Sequence, residues 1–133
     1  MEKKTLRVAD VMQRDHAIVE GTATVAEALG VMREMNASCV IVAKRDDDDE
    51  LAIVTTGDIA EHVLAPHRSP ERVSVYEIMT KPAICVRPRM NIRYCARLFR
   101  RYGLAFAPVV EGDEIHGIVT YDQLVLQGMA EQP

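Results

Sequence analysis

The chain repeats itself, and duplication constrains a fold more than composition does, because both copies must solve the same burial problem. Val11-Met12 matches Ile78-Met79 at a shift of 67 residues, and the same shift lays Val25, Ala28, Met32 and Met35 onto Ile92, Cys95, Phe99 and Tyr102. Val40-Ile41-Val42 falls on Ala107-Pro108-Val109. After a loop two residues shorter in the second copy, Ile53-Val54-Thr55 falls on Ile118-Val119-Thr120. The stretch 65–72, with Pro66 and Pro70, interrupts helical patterning. The organisation expected is a first repeat over 1–66, a linker at 67–74 and a second repeat over 75–133.

Each copy reads as strand, helix, strand, strand, helix. In the first, 17–19 is a short strand, and Thr24-Val25-Ala26-Glu27 is a capping box in which hydroxyl and carboxylate each satisfy a free amide at a helix start. Val25, Ala28, Leu29, Met32 and Met35 recur at helical spacing up to Asn36, a residue that tolerates the left-handed conformation ending a helix; Gly103 holds the equivalent place in copy two. The apolar runs 39–43 and 51–54, joined by a charged loop, predict a strand pair, and 59–64 a second helix. The fold class expected is α/β, with two β-α-β-β-α repeats packed with pseudo-two-fold symmetry around one core.

Composition sets outer limits. With 48% hydrophobic residues, no Trp and two Phe, the interior is aliphatic, and no apolar run approaches the roughly 20 residues that cross a bilayer. Residues 1–5 lead into no signal-peptide stretch, so the expected location is cytoplasmic, away from any membrane. Cys39, Cys85 and Cys95 lack metal or disulfide spacing and read as reduced, buried thiols. A net charge of −4 argues against nucleic acid as a partner. Residues 1–66 carry 7 basic against 13 acidic side chains, giving −6, and residues 67–133 carry 9 against 7, giving +2, so an anionic ligand leans on the second half.

Chemistry concentrates where a strand runs into a helix. Ile53-Val54-Thr55-Thr56-Gly57-Asp58 and Ile118-Val119-Thr120-Tyr121-Asp122-Gln123 each present a Thr hydroxyl and unpaired amides at a helix start, which suit phosphate. Three residues on, Asp58 supplies a carboxylate able to take both hydroxyls of a ribose. The same pair is also a good helix N-cap. The run 46–50 lacks calcium-loop spacing and reads as a solvated hairpin tip. Arg93, Arg97, Arg100 and Arg101 share one helical face, read as a solvated one. His16, His62, His67 and His116 show no ligand spacing, so no metal is expected, and His116 reads as a surface residue. No nucleophile and base are paired, and no catalytic residue is expected.

These features together resemble the CBS (cystathionine-β-synthase) domain family. Asp10-Val11-Met12 and Glu77-Ile78-Met79, the Thr24-Val25-Ala26-Glu27-Ala28-Leu29 helix start and the Gly-Ile-Val-Thr-type strand exit, in this order and in tandem, are similar to paired CBS repeats over nearly the whole chain. The resemblance implies a stand-alone Bateman module, a homodimer, and an adenosine ligand (AMP, ATP, NAD or S-adenosylmethionine) held between the copies, with no catalytic cofactor. It places Thr55 at the phosphate and Asp58 at the ribose, with Ile84, Cys85, Val86, Asn91, Phe106, Ala107 and Pro108 lining that site. It gives the second site Thr120 and Gln123, lined by Ala17, Ile18, Thr24 and Cys39. Ala52 stands where the family has Gly, and Gln123 where it has Asp; Asp122 falls one residue early. Unequal occupancy follows, the Asp58 site being the stronger.

Three functions are therefore weighed: a non-catalytic sensor that signals in trans to an effector protein, a ligand-free dimerisation or interaction module, and an enzyme. Asp58 and Thr55 favour the first, Ala52 and Gln123 the second, and nothing in the residues favours the third.

Overall fold

A computed structural model describes residues 5–130; residues 1–4, on which part of the signal-peptide reading falls, and residues 131–133 lie outside the described residues. In chain order the elements are α1 (Val8–Val11), β1 (Ile18–Val19), α2 (Val25–Met35), β2 (Cys39–Val42), β3 (Ala52–Thr55) and α3 (Thr56–Ile59), which runs into a π-helical turn, Ala60–Leu64. Two 3₁₀ turns, Pro70–Arg72 and Val75–Glu77, precede α4 (Ile92–Tyr102), β4 (Phe106–Glu111), β5 (Glu114–Thr120) and α5 (Tyr121–Ala130). The helix expected at 59–64 thus begins three residues earlier, directly after Thr55.

The fold is mixed α/β and divides into two compact units. The middle unit is His16–Ala83, and the split unit joins residues up to Asp15 with those from Ile84 onward. In the middle unit β1 pairs parallel with β2, and β2 antiparallel with β3, in the order β1-β2-β3. The split unit has the antiparallel pair β4-β5, and its counterpart of β1 shrinks to a parallel bridge between Val86 and Val109, the residues equivalent to Val19 and Val42.

Each unit borrows its outer layer from the other repeat. Gln13 of the first copy exchanges backbone hydrogen bonds with Ile118 of the second, at 2.8 and 2.9 Å. Thr80 of the second does the same with Ile53 of the first, at 2.9 and 3.1 Å. The pairs are equivalent positions, as are the bridges Arg7 to Asn91 and Ser74 to Thr24. A leading segment therefore satisfies backbone groups on the open edge of β3 or β5, which would otherwise be left exposed.

Two cores result, not the single one expected from length. In the middle unit Val25, Ala28 and Met32 of α2 pack with Val40, Val42 and Val54, and Val73, Val75 and Ile78 close the cluster. Val73, within the stretch read as linker, is only 2% exposed. In the split unit Val8 and Val11 pack with Val86, Cys95, Phe99, Val109, Val119 and Leu124. Val8 and Val75 are fully buried, and a Val so placed adds about 1.5–3 kcal/mol relative to an exposed one.

The helix ends follow the sequence with one exception. Asn36 (φ 52°, ψ 45°) and Gly103 (φ 63°, ψ 37°) end α2 and α4 in the left-handed region. Thr24 Oγ1 accepts from the Glu27 N–H at 3.1 Å, but the reciprocal bond from the Glu27 carboxylate is not made, so only half of the expected box forms.

Gly117 shows how close the borrowed segment comes. A Cβ there would overlap the Gln13 carbonyl oxygen and lie 3.1 Å from its carbon. Glycine at this position is what the approach of the Gln13 backbone requires. Gly117→Ala should lower stability by about 1–3 kcal/mol in urea unfolding, because it overpacks against backbone that cannot rotate away. Ala52→Gly, at the equivalent position, should cost only about 0.5–1 kcal/mol.

Candidate functional site

The two strand-to-helix turns have the same hydrogen-bond frame. Thr55 is the N-cap of α3 (φ −109°, ψ 165°); its Oγ1 accepts from the Asp58 N–H at 3.1 Å, and its own N–H donates to Asp58 Oδ2 at 2.9 Å. Thr120 Oγ1 accepts from the Gln123 N–H at 3.1 Å, and the Thr120 N–H donates to Gln123 Oε1 at 3.2 Å. The amides that follow are also spent: Thr56 N–H donates to the Ser38 carbonyl and Tyr121 N–H to the Ala105 carbonyl, both at 3.0 Å. Three of the first amides at each helix start are thus satisfied, two by the turn's own side chains and one by a carbonyl of the preceding strand's neighbour, and are not left unpaired as expected. The N-cap role of Thr55 and Asp58 is real.

What is left over differs between the turns. A Thr hydroxyl that accepts a hydrogen bond keeps its own proton to donate, and both threonines have this. Asp58 has Oδ1 remaining, an ionisable acceptor that suits a hydroxyl donor. Gln123, with one lone pair of Oε1 taken by the Thr120 amide, has the two N–H donors of its NH₂ remaining and lacks the second, charged oxygen that Asp58 keeps. Residue 57 is Gly in the first turn, where a Cβ would lie in van der Waals contact with Thr55 Oγ1, at 3.4 Å.

The other predicted residues divide by unit: those expected to line the second site lie in the unit that holds Thr55, and those expected to line the Asp58 site lie in the unit that holds Thr120. In the middle unit Cys39 is paired in register with Thr55, and Ala17 is buried with its carbonyl accepting from the Ile41 N–H at 3.0 Å. Ile18 is 48% exposed, and Thr24 caps α2. In the split unit Phe106 is paired with Thr120 just as Cys39 is with Thr55. Val86 donates to the Pro108 carbonyl at 2.9 Å, with Ala107 and Pro108 buried. Asn91 Oδ1 accepts from the Arg93 N–H at 2.8 Å, capping α4. Ile84 is half-buried.

Cys85 is exposed, contrary to the expectation of three buried thiols, because it lies outside the bridge that its neighbour Val86 makes. His116, read as a surface residue, is half-buried in β5, with its Nε2 lacking a hydrogen bond and 3.8 Å from Glu114 Oε2. Asp49 departs most from expectation. Its side chain is only 7% exposed and is held by Lys81 and by Arg45, whose Nε lies 3.3 Å away. The run 46–50 is therefore a solvated tip at 46–48 with a half-buried anchor at 49. A cavity of about 470 Å³, lined by Glu20, Arg45, Asp49, Tyr76 and Lys81 among others, adjoins it and was not foreseen. The unused signal was the single Lys in the leading segment of copy two, facing a loop of five consecutive acids.

The frame defines a protein of tandem α/β repeats, each ending in a Thr-capped strand-to-helix turn. The CBS domain model matches residues 8–65 and 75–127, and the chain belongs to the CBS domain family. A hexameric CBS-CP12 protein from bloom-forming cyanobacteria has a similar structure, with a TM-score of 0.91 and 35% identity over 96% of this chain and 75% of that one. The CBS domain pair of protein MJ0100, in complex with 5′-methylthioadenosine and S-adenosyl-L-methionine, shares the fold, with a TM-score of 0.81 and 21% identity over 97% of this chain and all of that one. An uncharacterized protein of Methanopyrus kandleri is 26% identical over 123 residues, 92% of this chain. The chain spans about three fifths of that relative's length, 62%.

The thiols give a test by pH and by reagent. Burial pushes Cys39 up to about 12 and Cys95 to about 11. A folded value raised above the unfolded one means the folded state holds its proton more tightly, so stability should fall as pH rises from about 8.5 toward those values. In the native chain a thiol reagent should modify Cys85 rapidly and the other two only on unfolding, as read by mass spectrometry. Replacing Thr55 by Ala should cost about 1 kcal/mol through the lost cap alone.

Proposed function

We propose that the chain is a non-catalytic regulatory module that binds an adenosine ligand through Thr55 and Asp58 and signals to a separate effector protein. The observation that carries this reading is the difference between the two turns: the same frame leaves a carboxylate oxygen at Asp58 and an amide nitrogen at Gln123. A ribose diol donates two hydrogen bonds, which a carboxylate accepts and an amide NH₂ does not. The Thr55 hydroxyl can donate to a phosphate or to another acceptor on the same ligand. The complex of the MJ0100 pair with two adenosine compounds supports the ligand class. Of AMP, ATP, NAD and S-adenosylmethionine, none is singled out by these groups.

A non-catalytic role is supported by the thiols, since Cys39 and Cys95 are driven toward the protonated, unreactive form. To signal, the ligand must bind one conformation of the module more tightly than another. Self-association is supported by α5, where Val125, Leu126 and Met129 are 50–70% exposed, and by the hexameric assembly of the cyanobacterial relative. A homodimer in the cytoplasm is the assembly proposed; among the described residues no helix is long and apolar enough to cross a membrane. The same exposed face favours a second reading, a ligand-free interaction module.

Calorimetric titration with AMP, ATP, NAD and S-adenosylmethionine separates the two. Asp58→Asn keeps an oxygen to cap Thr55 but removes the charge, and should weaken binding by roughly tenfold to a hundredfold with little change in melting temperature. Gln123→Asp should strengthen or create a second binding event. Heat released by none of these compounds would leave the interaction module as the function.

A further inference from the structure

The cavity beside the Lys44-to-Glu50 loop lies at the other end of the sheet from Thr55. Val42 and Ala52, both lining it, are paired at one end of β2-β3, while Cys39 and Thr55 are paired at the opposite end. Three residues of strand separate them, about 10 Å. All of the cavity's lining residues belong to the middle unit. Its volume, about 470 Å³, falls within the roughly 300–1,000 Å³ of small-ligand pockets.

Its chemistry is mixed in a specific way. Val42, Met79 and Tyr76 supply apolar surface. Asp49 and Lys81 pair with each other, which fixes one wall and cancels one charge of each sign. Arg45 uses Nε on Asp49, and its other guanidinium N–H groups make no hydrogen bond among the described residues. Glu20 and Glu50 also line the cavity, and their carboxylates carry no ion pair among the described residues. A guanidinium and two carboxylates are therefore available beside an apolar floor.

The second repeat has no such arrangement. Its loop is two residues shorter, and the positions equivalent to Glu20 and Tyr76 are Arg87 and Ala9. The repeat frame does not require these groups; they are a property of one unit alone.

We propose that this cavity is a second small-molecule site, distinct from Thr55 and Asp58, for a small amine carboxylate, an α-amino acid being the simplest. The carboxylate of the ligand meets Arg45, its ammonium meets Glu20 or Glu50, and its side chain covers Val42 and Met79. Charge-assisted hydrogen bonds of both signs give the selectivity, because a molecule with only one of the two charges leaves the other wall unsatisfied.

The test is a calorimetric titration of the intact chain with L-leucine, L-methionine and L-lysine, with isoamylamine and 4-methylpentanoate as single-charge controls. At least one amino acid should bind saturably, with both controls about tenfold weaker or more. Arg45→Gln and Glu50→Gln, both at exposed positions, should each weaken that binding by about tenfold, Glu50→Gln with the melting temperature unchanged and Arg45→Gln with only a small drop from the lost contact to Asp49. Asp58→Asn should have no effect on it, which separates this site from the adenosine reading. No saturation by any of the three amino acids at roughly 10 mM, controls that bind as well as the amino acids, or binding untouched by both substitutions would overturn the proposal.

Discussion

The backbone pairing of each repeat's leading segment with the other repeat's last strand is the interaction on which the rest depends. Gln13 closes the edge of β5 and Thr80 the edge of β3, by equivalent hydrogen bonds. Without them each short sheet would end in unpaired N–H and C=O groups, and each core would lose the buried Val8 and Val11, or Val73 and Val75. The compact units therefore do not coincide with the sequence repeats. The compact bodies are composites, and chain connectivity between 13 and 80 is built into both. Gly117, admitting the Gln13 carbonyl where a methyl would collide, is the local condition for one half of this exchange.

On that shared frame the two copies have diverged at a few side chains with large chemical consequences. Asp58 and Gln123 hold the preceding Thr amide in the same way, yet one keeps a second carboxylate oxygen and the other an NH₂ donor pair in its place. The cap therefore preserves geometry while chemistry changes, and a turn can lose one ligand preference without losing its fold. The longer loop of the first copy is the second divergence. Asp49, half-buried and held by Lys81 and Arg45, turns what is otherwise a charged hairpin tip into the wall of a cavity.

Much of this was legible in the residues. The 67-residue shift predicted equivalent elements, and Val19 and Val86, Cys39 and Phe106, and Asn36 and Gly103 take equivalent places in strands and caps. The Thr-x-x-Asp and Thr-x-x-Gln turns were placed correctly at strand-to-helix junctions. What escaped the sequence was long-range. A repeat shows which residues are alike but not which copy a segment packs against, so two composite cores were read as one and Val73 as linker. Burial of Asp49 depended on Lys81, distant in the chain, and the missing half of the Thr24 box on where the Glu27 side chain goes. The exposure of Cys85 reflects the reduction of a strand to one bridge, which three apolar letters, Ile84-Cys85-Val86, do not reveal.

The central claim is that Thr55 and Asp58 together face an adenosine ligand, and a methyl NMR titration of threonine-labelled protein tests it most directly. On adding S-adenosylmethionine, AMP, ATP or NAD, the Thr55 methyl resonance should move and saturate with at least one compound, and move further than that of Thr120. A Thr55 resonance that stays fixed throughout, or moves less than Thr120, would contradict the account.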